Sequence, residues 1–189
     1  MLNEVGSRHM NGKTKILLHA CCAPCATSPV ERLMSENAEI ILFFSNSNIF
    51  PEQEYSKRLQ SARDLSEALH LELIEDTYDH LSWLKHIKGL EHESERGRRC
   101  IKCFEYNLKR TALSAQRLSI DCFSTTLTVS RHKPSRVILE VGSHLRGFEP
   151  IDFKKLNGFS RSIELSRQYD LYRQNYCGCE FSMPGTARQ

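Results

Sequence analysis

The sequence contains neither of the glycine-rich loops that cradle nucleotide phosphates: GxxxxGK[ST] and GxGxxG are both absent from its 189 residues. The SGGxDS-type loop that adenylating enzymes of the Rossmann-like group carry after their first strand is absent too. Nucleotide activation therefore has no visible home. No apolar run approaches the ~20 residues that span a bilayer, and no signal peptide is apparent. The chain is accordingly expected to be cytoplasmic, with no membrane partner. Internal repeats, low-complexity tracts and a convincing domain boundary are likewise missing.

Cysteine, by contrast, is plentiful. With 40% hydrophobic residues the chain can bury an ordinary core, so its eight cysteines are not needed as staples. In a reducing compartment they read as metal-binding or redox-active. Cys122 stands alone in a predicted strand and is expected to pack as a small hydrophobe. The others form three groups: Cys21, Cys22 and Cys25; Cys100 and Cys103; Cys177 and Cys179. Four thiolates complete a zinc site or a [4Fe–4S] cluster, which leaves three for a second metal or a redox pair. A structural zinc site usually draws on two CxxC knuckles, and the spacings CCxxC, CxxC and CxC fit that poorly. Spacing alone leaves iron–sulfur ligation, zinc and thiol–disulfide chemistry open.

Periodicity places these groups in an α/β chain. A strand over Ile16–Leu18 runs into the first cysteines, and a helix is expected from Ser28, where Ser-Pro has N-cap and first-turn order. The continuous apolar run Glu39–Ser45 fits a strand covered on both faces, hence a parallel sheet. Helix over Glu52–His70 and strand over Leu71–Glu75 complete βαβαβ, which implies a doubly wound, mostly parallel sheet with helices on both faces. Further helices are expected over His80–Lys88, Arg99–Leu118, from Lys133-Pro134 to Leu145, and over Ser162–Asp170. Further strands are expected over Ile120–Ser124 and Ile151–Phe153. The metal site should lie at the C-terminal edge of the strands. At the start of its helix the CxxC should present both thiols on one face, with the dipole favouring thiolates. Residues 15–182 read as one domain, with flexible tails over 1–14 and 183–189; Gly6–Met10 resembles a cloning remnant.

Net charge is only +3, yet basic residues crowd the CxxC from Arg96 to Arg110 and recur at Arg131, Lys133 and Arg136, then at Lys154, Lys155, Arg161, Arg167 and Arg173. Such sets suit a polyanion such as RNA, or simply solvated helix faces.

The stretches LLHACCAPC, SNSNIFPEQEYSKRL, RCIKCFEYNLKRTA, CFSTTLTVSRHKP and DFKKLNGFSRSIELSRQYDLYRQNYCGC together resemble epoxyqueuosine reductases of the QueH type, from Lys15 to Ser182. The resemblance implies the last step of queuosine synthesis, in which epoxyqueuosine at the wobble position of tRNA loses its epoxide oxygen. It also implies a Rossmann-like fold and a cobalamin-independent enzyme holding a [4Fe–4S] cluster beside a second metal ion, iron. Removing the oxygen as water takes two electrons and two protons, so an external electron donor is required. A cluster passes one electron at a time, and a second iron would act as a Lewis acid on the oxygen. Adjacent Cys21 and Cys22 are expected to diverge and serve different centres. On that footing Cys22, Cys100, Cys103 and Cys179 would hold the cluster, and Cys21, Cys25 and Cys177 the iron. Candidate proton donors are Tyr176, Asp152 and His19, each with ordinary packing or hydrogen bonding as its alternative. Asn46, Asn48, Thr126 and Ser130 are candidates to hold the modified base, and Arg98, Arg99, Lys102, Lys133 and Arg173 to meet the tRNA phosphates. The rival functions are a tRNA sulfur-transferase of the Rossmann-like group and a non-catalytic zinc-binding RNA module.

Overall fold

A computed structural model describes residues 14–183. The expectations for 1–13 and 184–189 lie outside the described residues. The strands are β1 (Lys15–His19), β2 (Glu39–Phe44), β3 (Glu72–Glu75) and β4 (Cys122–Thr125). They form a wholly parallel sheet in the order β3-β2-β1-β4. Around it lie α1 (Ala23–Ser35), α2 (Glu52–Ala68), α3 (His80–His86), α4 (Arg98–Arg117), α5 (Ser135–Ser143) and α6 (Gly158–Gln168).

The two-residue alternation of the strands explains why both faces are covered. Ile16, Leu18, Ile40 and Leu42 pack with Ala26, Val30 and Leu33 of α1 and Leu65 of α2. Leu17, Ile41 and Phe43 point the other way, onto Phe104 and Leu108 of α4 and Ile138 of α5. Each such side chain, fully buried, contributes about 1.5–3 kcal/mol. From β1 the chain winds outward through β2 and β3, then crosses back to place β4 on the other side of β1. The C-terminal ends of β1 and β4 are therefore the topological switch point, where open α/β sheets receive ligands. His19 pairs with Phe43 on one side and Thr125 on the other, so three strand ends are level there. Among the described residues no helix is long and apolar enough to cross a membrane.

Three expectations are corrected. Helix α1 begins at Ala23, not Ser28, because the proline that opens it is Pro24; Pro29 lies inside the helix and leaves the Cys25 carbonyl without its usual donor. Ile151–Phe153 is not a strand. Phe123 donates to the Gly147 carbonyl and accepts from Glu149 N–H (both 2.8 Å), so a single bridge forms earlier, at Phe148. The chain then turns away at Pro150, which has no N–H to extend the ladder. Helix α6 starts four residues before Ser162 at Gly158, where a Cβ would lie 1.9 Å from the Phe153 carbonyl oxygen. Only glycine fits there.

Candidate metal centre

At the switch point β1 gives way directly to α1, and this turn gathers the first thiols. The sulfurs of Cys21, Cys22 and Cys25 all lie within 4.8 Å of one another. The expected divergence of Cys21 and Cys22 does not occur. Cys22 is the N-cap of α1, in extended conformation, and Ala26 N–H bonds its carbonyl at 3.2 Å, so the first helical turn carries Cys25 back beside it. The Thr126 hydroxyl fixes Cys21 twice, accepting from its N–H at 3.0 Å and donating to its sulfur at 3.3 Å.

The charge state follows from this crowding. Hydrogen bonds from Cys21 and Cys25 hold the Cys22 thiol well below its ordinary pKa. The same interaction with Cys22 pushes Cys21 up to about 12, and bonding to Cys21 and Cys22 raises Cys25 well above the usual thiol range. Of the three, Cys22 is therefore the thiol most readily deprotonated. A cation among the sulfurs would favour the thiolate form of all three.

A cavity of about 400 Å³ opens from the triad, and Cys100, Cys103, Cys177 and Cys179 line its other walls. Seven thiols from three distant segments therefore face one space. Cys100 and Cys103 sit in the first two turns of α4. Burial pushes the Cys100 thiol up and the Cys103 thiol well up from the usual thiol range. Burial likewise raises Cys179, to about 11. Cys122 stands apart in the core, its thiol donating to the Lys15 carbonyl at 3.1 Å.

The segment from Tyr172 to Ser182 has only one short 3-10 turn, Glu180–Ser182, and is held by side chains from elsewhere. Arg58, on α2 and 1% exposed, donates to the carbonyls of Cys177 (3.0 Å) and Tyr176 (3.3 Å). Its Nε pairs with Glu54 at 2.8 Å, and Glu54 also accepts from the Tyr172 hydroxyl at 2.9 Å. Phe50 N–H bonds the Gly178 carbonyl at 2.9 Å. Gly178 has φ +150, and a Cβ there would lie 3.1 Å from Asn48 Nδ2 and 3.3 Å from the Arg58 guanidinium.

The candidates named from sequence separate into two sets. Tyr176, Asn46, Asn48, Arg99, Ser130, Lys133 and Arg173 line the cavity with the thiols. Within it Asn46 donates to the Ala20 carbonyl (2.8 Å), Asn48 accepts from Asn107 (3.0 Å), and the Tyr176 hydroxyl donates to the Phe50 carbonyl. Ser130 accepts from His132 N–H at 3.2 Å, and exposed Arg173 donates to Ser166 at 2.6 Å. Burial opposes the charge on Lys133, but the field of Cys177, Cys21, Cys25 and Cys22 outweighs it and raises the lysine pKa. Arg99 is buried, bonding the Glu91 (2.8 Å) and Glu93 carbonyls and lying over the Phe181 ring, so its guanidinium is committed within the fold.

His19, Asp152, Arg98, Lys102 and Thr126 are not among the lining residues. His19 is fully buried beneath the site, its ring nitrogens at 2.8 Å from Thr125 Oγ1 and 3.1 Å from the Ser45 carbonyl; burial lowers its pKa to about 4, so it is a neutral strut between strand ends. Asp152 accepts from Ser135 and from Lys154 N–H, both at 3.1 Å, beside α5. Arg98, exposed, and Lys102, half-buried, lie on α4 paired with Glu93 (2.6 Å) and Glu105 (2.7 Å).

Comparison with known proteins agrees with this geometry. The family model described as epoxyqueuosine reductase QueH matches residues 16–184. The chain belongs to this family. It is 39% identical over 181 residues to the epoxyqueuosine reductase QueH of Streptococcus pyogenes serotype M1, covering 90% of this chain and 71% of that one. The Staphylococcus aureus protein of the same name is 37% identical over 183 residues, covering 90% and 76%. The Thermotoga maritima protein is 31% identical over 176 residues, covering 89% and 90%.

For a QueH-family chain the wall of the cavity is as informative as its thiols, and several of its residues escape sequence reasoning. Gln174 lies beside Cys22 and helps to hold its thiol pKa down. Arg96 N–H bonds the Cys100 sulfur at 3.3 Å, and Asn107 Nδ2 lies 3.9 Å from that of Cys103. Trp83 Nε1, Asn107 Oδ1 and Gln174 Oε1 are buried without a partner. Sulfurs supplied with donors, and polar atoms left over beside them, fit a thiolate-bound metal centre: donors to sulfur orient and tune soft ligands. No local pattern marks Trp83, Arg58 or Gln174, whose partners lie far off in sequence.

Proposed function

We propose that this chain reduces epoxyqueuosine in tRNA to queuosine, using a [4Fe–4S] cluster and an adjacent second metal ion, iron, held by the pooled thiols of Cys21, Cys22, Cys25, Cys100, Cys103, Cys177 and Cys179. The observation that carries this reading is that these seven cysteines line one cavity at the switch point of the sheet. Four thiolates suffice for a cluster and three remain for a single ion, a division that the close sulfurs of Cys21, Cys22 and Cys25 make feasible. When bound, the metals would supply electrons one at a time and a Lewis acid for the departing oxygen.

The protein's own groups do the rest. A cavity of about 400 Å³ accommodates a modified base, at the small end of the usual range for ligand sites. An anticodon loop can turn that base out of its stack at little cost. Asn46, Asn48 and Ser130 offer polar edges to it. Net loss of the oxygen as water consumes two electrons, from an external donor, and two protons. Lys133 lines the cavity, and the field of the cysteines keeps its side chain charged there, so its ammonium is placed to hydrogen-bond an oxygen of the substrate. Tyr176 lines the same space, but its hydroxyl proton is engaged with Phe50. Exposed Arg173 and His132 at the rim, with Arg98 and Lys102 on α4, meet the tRNA phosphates. The surface partners Arg98 and Lys102 now hold are exchanged cheaply, because such pairs contribute little.

The test is turnover. Protein reconstituted anaerobically with iron and sulfide is incubated with epoxyqueuosine-containing tRNA and a chemical reductant, and the tRNA is digested for mass spectrometry. The expected product nucleoside is lighter by one oxygen atom. Cluster-loaded protein that leaves epoxyqueuosine unchanged would overturn the reading.

A further inference from the structure

The segment between β4 and α5 brings a cation to the mouth of the cavity. Lys133 N–H bonds the Ser130 carbonyl and His132 N–H bonds the Ser130 hydroxyl, both at 3.2 Å, so Ser130–Lys133 is a closed turn with Arg131 at its second position. Ser130, His132 and Lys133 line the cavity. Lys154 Nζ donates to the Lys133 carbonyl at 2.9 Å and ties this turn to the chain that leads into α6. There Phe159, in the first turn of α6, lines the same cavity and packs against the core beneath it. The Arg131 guanidinium lies over the Phe159 ring, 4.4 Å from its centroid, the shortest such contact among the described residues. Arg131 is exposed and, among the described residues, has no hydrogen bond or ion pair. Exposed Arg63 and Arg98, by comparison, are each paired with a glutamate at 2.6 Å. A guanidinium held in this way has one face on the ring and leaves the other to solvent. The ring fixes the plane of the cation, which a simple contact to phosphate would not need. Such a plane accepts a stacked nucleobase while its edge N–H groups reach a phosphate.

We propose that the Arg131–Phe159 stack is a nucleobase platform: an unpaired base next to the modified one stacks on the open face of the guanidinium while the modified base enters the cavity. The inference rests on the part of the proposed function that brings an RNA loop to this cavity. A base turned out of its stack uncovers the faces of its neighbours, and the platform gives one of them a new surface. Every base has a π-face, so the platform adds hold without a preference for base identity. Lysine at position 131 would carry the same charge as a compact ammonium with no plane to stack on, which separates stacking from charge.

The experiment is fluorescence-anisotropy binding of synthetic anticodon stem-loop RNAs to anaerobically reconstituted protein at several salt concentrations. One RNA is intact, and two lack a single base each, immediately before or after the wobble position. The proteins are wild type, Arg131→Lys and Phe159→Leu. One of the abasic RNAs is expected to bind wild type about tenfold more weakly than the intact RNA. Arg131→Lys should bind the intact RNA about tenfold more weakly than wild type does and no longer distinguish it from that abasic RNA. The slope of log affinity against log salt should stay the same, because the charge is kept. Phe159→Leu removes the ring beneath and should give the same pattern; should it not fold, Arg131→Lys, at an exposed site, decides alone. Wild-type affinity in Arg131→Lys, or an abasic loss as large there as in wild type, would overturn this inference. Turnover of epoxyqueuosine-containing tRNA is read on the same cluster-loaded wild-type protein. Turnover together with equal affinity for all the RNAs would overturn this inference and leave the proposed function standing. The platform pattern without turnover would overturn the proposed function and leave the platform standing.

Discussion

Cys21, Cys22 and Cys25 owe their positions to the main chain of two consecutive elements, whereas Cys177 is held by a guanidinium 119 residues away. At the β1–α1 turn the strand ladder, the helix cap and one threonine hydroxyl converge the sulfurs. Near the C-terminus there is almost no regular structure, and Cys177 is exposed. The last thiols stay in place because Arg58, braced by Glu54, and Phe50 N–H hold the carbonyls of Tyr176, Cys177 and Gly178. A metal site assembled this way has a preformed half and a half that depends on distant packing. The pair on α4 falls between, carried by a regular helix that is docked through the Asp76–Arg110 ion pair.

The comparison can be broken most completely at its rigid half. Cys22→Ser removes the triad's most acidic thiol yet supplies a better N-cap than cysteine. Iron uptake and turnover should be abolished while the apo protein's melting temperature is unchanged or slightly raised. Iron analysis beside a thermal melt checks both halves of that statement.

At the other half, Arg58→Ala strands the buried Glu54 carboxylate and releases the carbonyls of Tyr176 and Cys177. Breaking a buried pair costs about 3–5 kcal/mol, which for a chain of this size corresponds to a fall of roughly 10 °C in melting temperature. Alkylation of Cys179, buried in the wild type, should accelerate at temperatures well below that melt. Cys22, held locally, should keep its wild-type rate.

The intermediate region is sharpened by acid. Burial alone would raise Asp76, but Arg110 and the Ser45 hydroxyl outweigh it and hold the carboxyl below the usual aspartate range. A depressed folded pKa means that the stabilisation is present above the unfolded value of about 3.9 and is lost as pH falls from there through the lower folded value. Arg110→Met should therefore cost about 1–2 kcal/mol at neutral pH and flatten the loss of stability below about pH 4. Denaturant melts at pH 7 and pH 3.5 compare the two proteins. The smallest effect belongs to the rim: Arg173→Ala should weaken tRNA binding evenly across sequences and reduce the slope of log affinity against log salt by about 1.

Legibility in the sequence divides along the same line. The apolar runs Ile16–Leu18 and Glu39–Ser45 mark central parallel strands, and helical spacing marks α2 and α4, because these signals are local. The cysteine groups mark the site for the same reason. Pro24 and Pro29 both suit a first helical turn; the helix starts at the earlier one, and the Ser28 hydroxyl bonds the Gly158 carbonyl of α6 instead of capping. Ile151–Phe153 has strand-like residues but no free edge at which to pair, since Phe148 and Glu149 already bond to Phe123. His19 looks like a proton donor until both its nitrogens are seen to be engaged. Arg58 and Trp83 leave no trace at all, because a buried arginine bonded to carbonyls 118 and 119 residues away has no sequence spacing to betray it.

The most direct measurement is the iron, acid-labile sulfide and zinc content of protein purified and reconstituted without oxygen, read with its absorption spectrum. The expected result is brown protein with about four irons and four sulfides per chain and some further iron. Colourless protein that retains stoichiometric zinc and takes up no sulfide after reconstitution would contradict the account and make the cavity a zinc site.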